Sequence, residues 1–346
     1  MGKVRFLFLG AGAIGTYIGG SLAASGQEVA FIEQPGPAAD IAESGLTVET
    51  ASGTLTVRDV TLFTDAATAL DAGPWDIAVF ALKSFDTAEA VEQLLATGRT
   101  VPTILSLQNG VDNEPTIAAR LGPDRVIAGT VTTAIGKPGV GHVIEETHRG
   151  VGVALGHPLS EPLVTALDGA GLAAEGFASP GSMKWSKLLT NLQGSATSAI
   201  LDLPVAEVFG DARLHEVETA AMRECLAVMR ALGFAPVDLP GTPVRLLAFA
   251  VEKLPKVVTR PIFTKLLGGS RGHKMPSLHI DLHAGRRRSE VGHLHGAVVR
   301  HGATVGVPTP VNAVLTSVLE GLTAGTEDIA SFRRRPEALL ARLRRR

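Results

Sequence analysis

Cysteine is almost missing from this chain, which has one, Cys225, in 346 residues. A disulfide within the chain needs a second cysteine, so none can form. Cys225 lies in a helix-like run from Val217 to Leu232, where a small buried hydrophobe is a better interpretation than a reactive thiol. So little cysteine fits a reducing compartment, and we therefore expect a cytoplasmic protein.

Long apolar runs and an excess of one charge are missing as well. No apolar segment has the length of a membrane-spanning helix, so we expect no membrane insertion. The formal net charge of −2 gives no overall attraction to nucleic acid or anionic lipid. Arginines do crowd the C-terminal tail, at 333–335 and 342–346, with leucines at helical spacing. Contact with nucleic acid or acidic lipid is one interpretation of this tail, and a solvated amphipathic end is the favoured one.

The composition that remains is that of a globular protein. Hydrophobic residues make up 45% of the chain and charged residues 19%, which is typical of folded rather than disordered sequences. A length of 346 residues favours two domains, each large enough to bury a core.

The most informative stretch runs from Phe6 to Glu33. An apolar strand enters Gly10-Ala11-Gly12-Ala13-Ile14-Gly15, a small-residue helix follows, and a second apolar strand ends at Glu33 and Gln34. This βαβ pattern is typical of dinucleotide-binding sites, in which the phosphates meet the N-terminus of the helix. Gly10 permits the tight turn, Gly12 admits the pyrophosphate, and Gly15 lets the helix approach the strand.

A secretory signal peptide is the alternative interpretation of the same stretch. Lys3 and Arg5, the apolar run and Ala23-Ala24-Ser25 imitate its three regions. Glycines interrupt the apolar run and a well-patterned strand follows directly, so the nucleotide-binding interpretation is favoured.

Polar residues follow several predicted strands of the first half. Continuous apolar strands separated by helices predict a parallel sheet covered on both faces, in which ligands bind beyond the carboxyl ends of the strands. Gly12, Glu33, Lys83 and Asn109 occupy such positions. The predicted strands, besides the first two, are 57–62 as an edge strand, 76–82, 103–107, 126–130 and 150–155.

From about Ser182 the periodicity becomes helical. We predict a Rossmann domain over 1–178 and an all-helical domain over 179–346, with the boundary near Ser179-Pro180-Gly181. The predicted helices are 183–199, 211–232, 275–284, 290–301 and 309–322.

Two sets of polar residues in this helical half need an explanation. Lys187 and Asn191 stand four apart, hence on one face of a helix, and Ser195 is next along the same stripe. Glu290 lies near the start of a later helix. A solvated helix face and a helix-start acid favoured by the dipole are the plain interpretations of the two sets.

Histidines raise the question of a metal. His279 and His283 are an i, i+4 pair with Asp281 between them, and His293 and His295 follow. The pair could hold zinc if a third ligand came from elsewhere in the chain. No cysteine is near and no metalloenzyme motif is recognisable, so we expect no metal.

The order of these motifs resembles that of the ketopantoate reductase (2-dehydropantoate 2-reductase) family over roughly residues 3–322. The motifs are Gly10-x-Gly12-x-x-Gly15, Leu82-Lys83, Gln108-Asn109-Gly110, Trp185-x-Lys187-Leu188-x-x-Asn191, Ser277 with Asp281, Arg288-Ser289-Glu290 and 306–312. The resemblance implies a Rossmann domain followed by a helical domain like that of 6-phosphogluconate dehydrogenases, with the active site in the cleft between them. It also implies NAD(P)H-dependent reduction of a small 2-oxo acid, ketopantoate, in pantothenate biosynthesis.

The resemblance further implies roles for single residues. Lys187 corresponds to the catalytic lysine and Glu290 to the active-site glutamate, while Lys83 corresponds to a lysine that meets the cofactor. Asn109 corresponds to an asparagine between nicotinamide and substrate, and Asn191 and Ser277 to substrate contacts. Carbonyl reduction leaves negative charge on oxygen, and a positioned ammonium such as that of Lys187 stabilises and protonates it.

Three departures from the family pattern bear on the substrate and cofactor. Ser195 stands where a second asparagine is usual, Gly292 where an aspartate is usual, and His295 where an asparagine precedes glycine. The segment 236–274 is longer and more basic than usual. The family favours NADPH through an arginine after the second strand, whereas this chain has Glu33 and Gln34 there, and a carboxylate favours NAD(H).

Alternatives to ketopantoate reduction remain open. A related reductase of another oxo acid, hydroxy acid or imine is the second hypothesis, and a non-catalytic nicotinamide sensor is the third. A homodimer is plausible for a small apolar helical domain. We expect a small-molecule partner and no nucleic-acid partner.

Overall fold

The computed structural model describes residues 3–269 and 275–344. Apolar strands alternate with helices through the first half of the chain, as predicted. The strands are β1 Arg5–Leu9, β2 Glu28–Ile32, β3 Leu46–Thr50, β4 Gly53–Val57, β5 Thr61–Phe63, β6 Ile77–Phe80, β7 Thr103–Ser106, β8 Val126–Val131, β9 Ala134–Gly139, β10 His142–Thr147, β11 Val151–Ala154 and β12 Ala174–Phe177. The helices of this half are α1 Ala13–Ala24, α2 Pro35–Ser44, α3 Ala66–Asp71, α4 Thr87–Ala96, α5 Asn113–Leu121 and α6 Ser160–Gly169.

Eight of these strands form one sheet with the order β12-β11-β8-β7-β6-β1-β2-β5. Its central strands β7, β6, β1 and β2 are parallel neighbours, so their carboxyl ends meet at one edge. Chain order reverses across β6 and β1, which is the switch point where ligands bind in open α/β sheets. Fully buried Phe6, Phe8 and Phe31 pack on one face of this sheet, and α1 covers them. The Rossmann-type α/β domain predicted from the sequence is confirmed.

A second, four-stranded sheet with the order β4-β3-β10-β9 was not predicted. It also corrects the predicted edge strand over 57–62. Val57 pairs with Leu46 in the small sheet, whereas Thr61 pairs with Ala30 in the large one. The chain changes sheets between these residues, so one strand cannot span them.

Helices dominate from Pro180 onward, as predicted. Most of the predicted helices are found with small shifts in their ends. The long segment after Pro236 contains two helices that were not predicted, over 244–253 and 256–269. The helices are α7 Pro180–Leu192, α8 Ser195–Leu201, α9 Val205–Gly210, α10 Ala212–Ala231, α11 Val244–Lys253, α12 Lys256–Gly269, α13 Ser277–His283, α14 His295–Thr304, α15 Pro310–Ala324, α16 Ile329–Phe332 and α17 Pro336–Arg344.

Two predicted helices are each broken in two. The helix predicted over 183–199 ends at Leu192, and α8 begins at Ser195 because Gly194 has a left-handed φ of +66°. Ser195 therefore does not continue the stripe of Lys187 and Asn191, contrary to the prediction. The helix predicted over 290–301 is a short 3-10 helix, Glu290–His293, followed by α14 after a break at Leu294.

The chain divides into two compact units. The first contains Met1–Lys184 with Asp238–Thr242, and the second contains Trp185–Val237 with Pro243–Arg346. This division falls a few residues beyond the boundary expected at 178/179, because the first turns of α7 belong to the first unit. The returning segment 238–242 could not be foreseen from the sequence, since its place there depends on contacts such as Thr132 Oγ1 donating to the carbonyl oxygen of Pro240 at 2.8 Å.

The basic tail packs within the second unit. Leu339 and Leu340 of α17 are buried, while Arg334 pairs with Glu207 and Arg342 with Glu327. Cys225 is fully buried in α10, and burial raises the pKa of its thiol well above the usual range. Within residues 3–269 and 275–344, no helix has the combination of length and apolar character that crossing a bilayer requires. Residues 270–274, which end the longer and more basic segment 236–274 noted in the sequence, lie outside the described residues.

Candidate active site

The glycine turn after β1 has the geometry that the sequence predicted. Gly10 adopts a φ of +90°, and its N–H donates to the carbonyl oxygen of Ile32 at 2.9 Å. A Cβ on Gly15 would lie 2.1 Å from the carbonyl oxygen of Gly10, so only glycine lets α1 approach the strand this closely. A Cβ on Gly12 would meet no atom within 4 Å. The turn is therefore tightly packed at Gly10 and Gly15 and has open space above Gly12.

The open space at Gly12 lies at the N-terminus of α1. Gly12 is the N-cap, and no side chain of the described chain caps the helix start there. The first turn, beginning with Ala13 and Ile14, contains no acidic residue. Uncapped N–H groups at the start of a helix attract anions, so these residues fit the pyrophosphate of a dinucleotide.

Glu33 closes one side of the glycine turn. Its carboxylate accepts one hydrogen bond from the N–H of Ala11 at 2.6 Å and another from the N–H of Gln34 at 2.8 Å. The side chain of Gln34 is exposed at the start of α2. The carboxylate is thereby fixed beside the turn, where the ribose-binding acid of NAD-binding Rossmann domains is found.

Lys83 and Asn109 follow β6 and β7 and are joined by a buried polar cluster. Ser84 Oγ and Asn113 Nδ2 both donate to the carbonyl oxygen of Asn109, at 2.7 and 2.6 Å. The side-chain amide of Gln108 donates to the carbonyl oxygen of Lys83 at 3.4 Å. These hydrogen bonds hold two loops of different strands in one arrangement, and both half-buried side chains lie at the edge that carries the glycine turn.

Two lysines in this unit were missed by the sequence analysis. Lys184 of α7 is only 5% exposed, and its ammonium donates to the carbonyl oxygens of Gln108 and Gly129 and pairs with Glu114 at 2.8 Å. It thus supports the loop that carries Asn109. Lys137 of β9 lies with its ammonium 3.4 Å from the carbonyl oxygen of Ala11, which brings a cation to the glycine turn.

Matched substitutions at the two glycines test this geometry. We expect Gly15→Ala to destabilise the protein by at least about 3 kcal/mol, because the new methyl group collides with backbone. Gly12→Ala should change stability by less than about 1 kcal/mol, since its methyl group enters open space, but should weaken cofactor binding at least about tenfold. Denaturant unfolding and fluorescence titration with a nicotinamide cofactor measure the two effects. A fully stable Gly15→Ala variant, or undiminished binding by Gly12→Ala, would contradict the described turn.

In the second unit, α7 presents Lys187 and Asn191 one turn apart. Both side chains are half-buried, and Leu188, Leu189 and Leu192 anchor the opposite face of the helix with no exposure. Glu290 is only 3% exposed, a low value for a carboxylate that opens a helical segment. Glu290 does open a helical segment, as the plain interpretation has it, but it is buried, and Lys187 and Asn191 are only partly exposed.

Ser195 belongs to a different buried network. Its hydroxyl lies 3.3 Å from Nε2 of His295, and Nδ1 of the same imidazole lies 2.8 Å from Oδ1 of Asn312. The amide of Asn312 donates to the carbonyl oxygen of Ala221 and to Glu224. Since Asn312 presents its oxygen to His295, the imidazole proton sits on Nδ1 and leaves Nε2 as an acceptor for Ser195.

Burial fixes the charge state of this network. Desolvation lowers the pKa of His295 to about 4, although the hydrogen bond with Asn312 opposes the shift. Burial likewise raises the pKa of Glu224. At neutral pH the imidazole of His295 is therefore uncharged. Two of the departures noted in the sequence, Ser195 and His295, are direct neighbours.

The remaining sequence candidate, Ser277, is exposed at the first residue of α13. Asp281, one turn further on, is buried and pairs with Arg286 at 3.3 Å. The structure thus gathers the cofactor candidates at one edge of the large sheet. The catalytic and substrate candidates of the second unit lie on α7, α8, α13 and the 3-10 helix at Glu290.

Comparison with known proteins identifies the family. Residues 6–156 match the model of ketopantoate reductase PanE/ApbA, and residues 182–323 match that of its C-terminal domain. The 2-dehydropantoate 2-reductase of Halobacterium salinarum is 28% identical over 333 residues, which cover 91% of this chain and 98% of that protein.

Solved structures agree. The PanE/ApbA family ketopantoate reductase of Ralstonia eutropha JMP134 is 29% identical, with a TM-score of 0.79 over 94% of this chain and 100% of that one. D-mandelate dehydrogenase, solved with NADH and anilino(oxo)acetate, shares the fold at 20% identity and a TM-score of 0.75, covering 93% of this chain and 99% of that one. The chain therefore belongs to the ketopantoate reductase PanE/ApbA family of oxidoreductases, as the order of its motifs predicted.

Proposed function

We propose that this protein reduces a 2-oxo acid with a nicotinamide cofactor, converting ketopantoate, or a close analogue, to the 2-hydroxy acid. The observation that carries the proposal is the glycine turn, which has open space above Gly12 at the uncapped start of α1. Lys83 and Asn109 lie at the same edge of the sheet. That combination fits a bound dinucleotide, with Gly10, Gly12, Ala13, Ile14 and Gly15 around its phosphates.

Lys187 is proposed as the proton donor. A bound NAD(P)H supplies the hydride that reaches the carbonyl carbon. The carbonyl oxygen gains negative charge as the C–H bond forms, and the ammonium of Lys187 stabilises that charge and then gives up one proton to make the hydroxyl. The buried carboxylate of Glu290 is proposed to orient Lys187 or to accept a hydrogen bond from the substrate hydroxyl.

Neutral polar groups are proposed to hold the substrate. Asn109, Asn191, Ser195 and Ser277 offer amide and hydroxyl groups, which bind a carboxylate and a hydroxyl without adding charge. Asn109 is well suited to this role because its backbone carbonyl is fixed by Ser84 and Asn113. A group that the fold holds in place orients the substrate at a smaller cost in entropy than a mobile group does.

We propose further that NAD(H) is preferred over NADP(H). The carboxylate of Glu33, held by the N–H groups of Ala11 and Gln34, accepts a hydrogen bond from a ribose 2′-hydroxyl and repels a 2′-phosphate. The family's usual arginine would favour NADP(H), and Glu33 is the feature that argues against it here.

Steady-state assays test the proposed reaction. Purified protein is incubated with NADH or NADPH and with ketopantoate, pyruvate, 2-oxoisovalerate or phenylglyoxylate, and loss of the reduced cofactor is followed by absorbance. We expect turnover of at least one 2-oxo acid at a kcat in the usual range of about 1–1,000 s⁻¹. Tight cofactor binding with no turnover of any oxo acid would instead favour a nicotinamide sensor.

A related reductase with a different oxo-acid substrate is the second candidate. The direct contact between Ser195 and His295 favours it, because two residues that depart from the family pattern form one buried unit. A hydroxyl bound to a neutral imidazole offers a substrate acceptor lone pairs, whereas an asparagine amide also offers donors. Activity on ketopantoate within about tenfold of the best substrate would argue against this candidate, since pocket differences of even one methylene change kcat/KM by about that factor or more.

A further inference from the structure

Three groups that the proposed reaction does not use converge at the end of α8. Asp202 is the C-cap of that helix, and His279 and His283 lie one turn apart on α13. Oδ1 of Asp202 is 2.7 Å from Nε2 of His279 and 4.0 Å from Nε2 of His283. One ligand atom from each residue lies within 4.8 Å of the other two. The histidine pair is recognisable in the sequence, whereas Asp202 is brought to it only by the fold.

The spacing of these atoms is close to what one metal ion requires. Tetrahedral ligands at 2.0–2.1 Å from zinc are about 3.4 Å from one another. The distance from Asp202 to His279, 2.7 Å, is shorter than this value, and the distance from Asp202 to His283, 4.0 Å, is longer. A change of less than about 1 Å in each distance would make room for an ion. The two imidazole rings stack with their centroids 4.1 Å apart, and Nε2 of each lies within 4.0 Å of the same carboxylate oxygen.

The backbone presents Asp202 in an unusual conformation. Its φ is +52°, in the left-handed region that non-glycine residues rarely adopt. Arg333 binds the second carboxylate oxygen, Oδ2, at 2.9 Å and leaves Oδ1 directed at the histidines. A residue held in a rare backbone conformation with one oxygen fixed is oriented in advance for a ligand.

The site is accessible and its imidazoles suit metal binding. The side chains of His279, His283 and Asp202 are 12%, 24% and 20% exposed, so an ion and a completing water molecule can enter. Nε2 of His279 already faces the carboxylate of Asp202, 2.7 Å from its Oδ1. Nε2 of His283 lies 3.1 Å from the carbonyl oxygen of Ala199, a hydrogen bond that metal binding would replace.

We propose that Asp202, His279 and His283 bind a divalent transition-metal ion of the zinc type, with water in the fourth position. Two imidazoles and a carboxylate are ligands that zinc prefers. The ion would clamp α8, which begins at Ser195, to α13, which begins at Ser277. The positive charge of Arg333 repels the ion and is expected to weaken its binding. This proposal is independent of the reductase activity.

Titration of the untagged full-length protein with Co²⁺, followed by displacement with Zn²⁺, tests the site. We expect the visible absorption of a low-coordinate cobalt centre to saturate at one ion per chain and to disappear on adding zinc. Zinc should also raise the thermal unfolding midpoint, and a chelator should reverse the rise, because the ion binds the folded state in preference. Failure to saturate at millimolar Co²⁺ or Zn²⁺ would overturn the proposal.

Single substitutions localise the ion. His279→Gln and His283→Gln are each expected to lower the affinity at least about tenfold. His148→Gln is the matched control, since His148 is an exposed histidine that also pairs with a carboxylate, that of Glu145. Undiminished binding by both site variants would place the ion elsewhere and overturn the assignment. Should a variant fail to fold, the stoichiometry and cobalt spectrum of the wild-type protein still decide whether the site exists.

Discussion

Replacing Lys187 with alanine is expected to lower kcat for 2-oxo-acid reduction by about 100- to 10,000-fold, the usual contribution of a positioned general acid. KM should change much less, because the ammonium acts mainly on charge that develops during the reaction. Water then has to protonate the oxygen of the product, and it is a weaker acid held in no fixed position. Lys187 is half-buried on a helix whose opposite face is anchored by Leu188 and Leu189, so its backbone is held in place more firmly than that of a lysine on an exposed loop.

Two further variants separate proton transfer from a general effect of charge. Lys187→Arg keeps the positive charge but gives up a proton poorly, so it should remain far below the wild-type kcat. Lys253→Ala removes an exposed lysine of α11 in the same unit and should leave kcat unchanged. Steady-state kinetics with saturating cofactor measure all three. A kcat for Lys187→Ala within twofold of wild type would exclude Lys187 as the proton donor.

Removing the charge of Glu33 is expected to change the choice of cofactor. The wild-type protein should use NADH in preference to NADPH, and Glu33→Gln should lower the NADH-to-NADPH ratio of kcat/KM by about 10- to 100-fold. The carboxylate of Glu33 and a 2′-phosphate about 5 Å apart would repel by roughly 3 kcal/mol at an effective dielectric of 20. Because the site is partly exposed, solvent and salt weaken this repulsion to the energy that corresponds to a roughly 10- to 100-fold change. Glutamine keeps an oxygen that can accept from the N–H of Ala11, so the turn should remain folded.

Kinetics with both cofactors at one ionic strength give this ratio. Glu43→Gln is the matched control, because it removes the charge of an exposed carboxylate near the end of α2. Its ratio should match that of the wild-type protein. A wild-type preference for NADPH would show that the phosphate is received elsewhere, and Lys137 near the glycine turn would be the first residue to substitute.

The first half of the chain could be predicted well because its signals are local. The glycine turn, the apolar strands and the residues at their ends are each contained in a few consecutive positions. The four-stranded sheet was missed because its strands come from two distant parts of the chain. β3 pairs with β10 in parallel, Thr47 opposite His142, and no local pattern reveals that pairing.

The breaks in two helices escaped prediction for a related reason. Apolar spacing continues across Gly194, and an isolated glycine is tolerated inside helices. The left-handed conformation of Gly194 becomes necessary only in the folded unit, where a Cβ would lie 3.0 Å from Val205. As a consequence, Ser195 leaves the stripe of Lys187 and contacts His295 instead.

The supporting residues of the site could not be read from the sequence. Lys184 lies one turn before Lys187, yet its ammonium reaches the carbonyl oxygen of Gln108, which is 76 positions away. The proposed metal site, which is separate from the active site, has the same property, because Asp202 is separated from His279 by 77 positions. Motif order identified the residues expected to act on the substrate, whereas only the folded chain identifies those that position them.

The most direct test of the account follows the hydride itself. The protein is incubated with NADH deuterated at the transferring position of the nicotinamide and with its best 2-oxo acid, and the product is analysed by mass spectrometry and NMR. We predict a 2-hydroxy acid that carries one deuterium on the carbon of the former carbonyl group. Consumption of the cofactor without deuterium on that carbon, or no hydroxy acid with either nicotinamide, would contradict the proposed reduction.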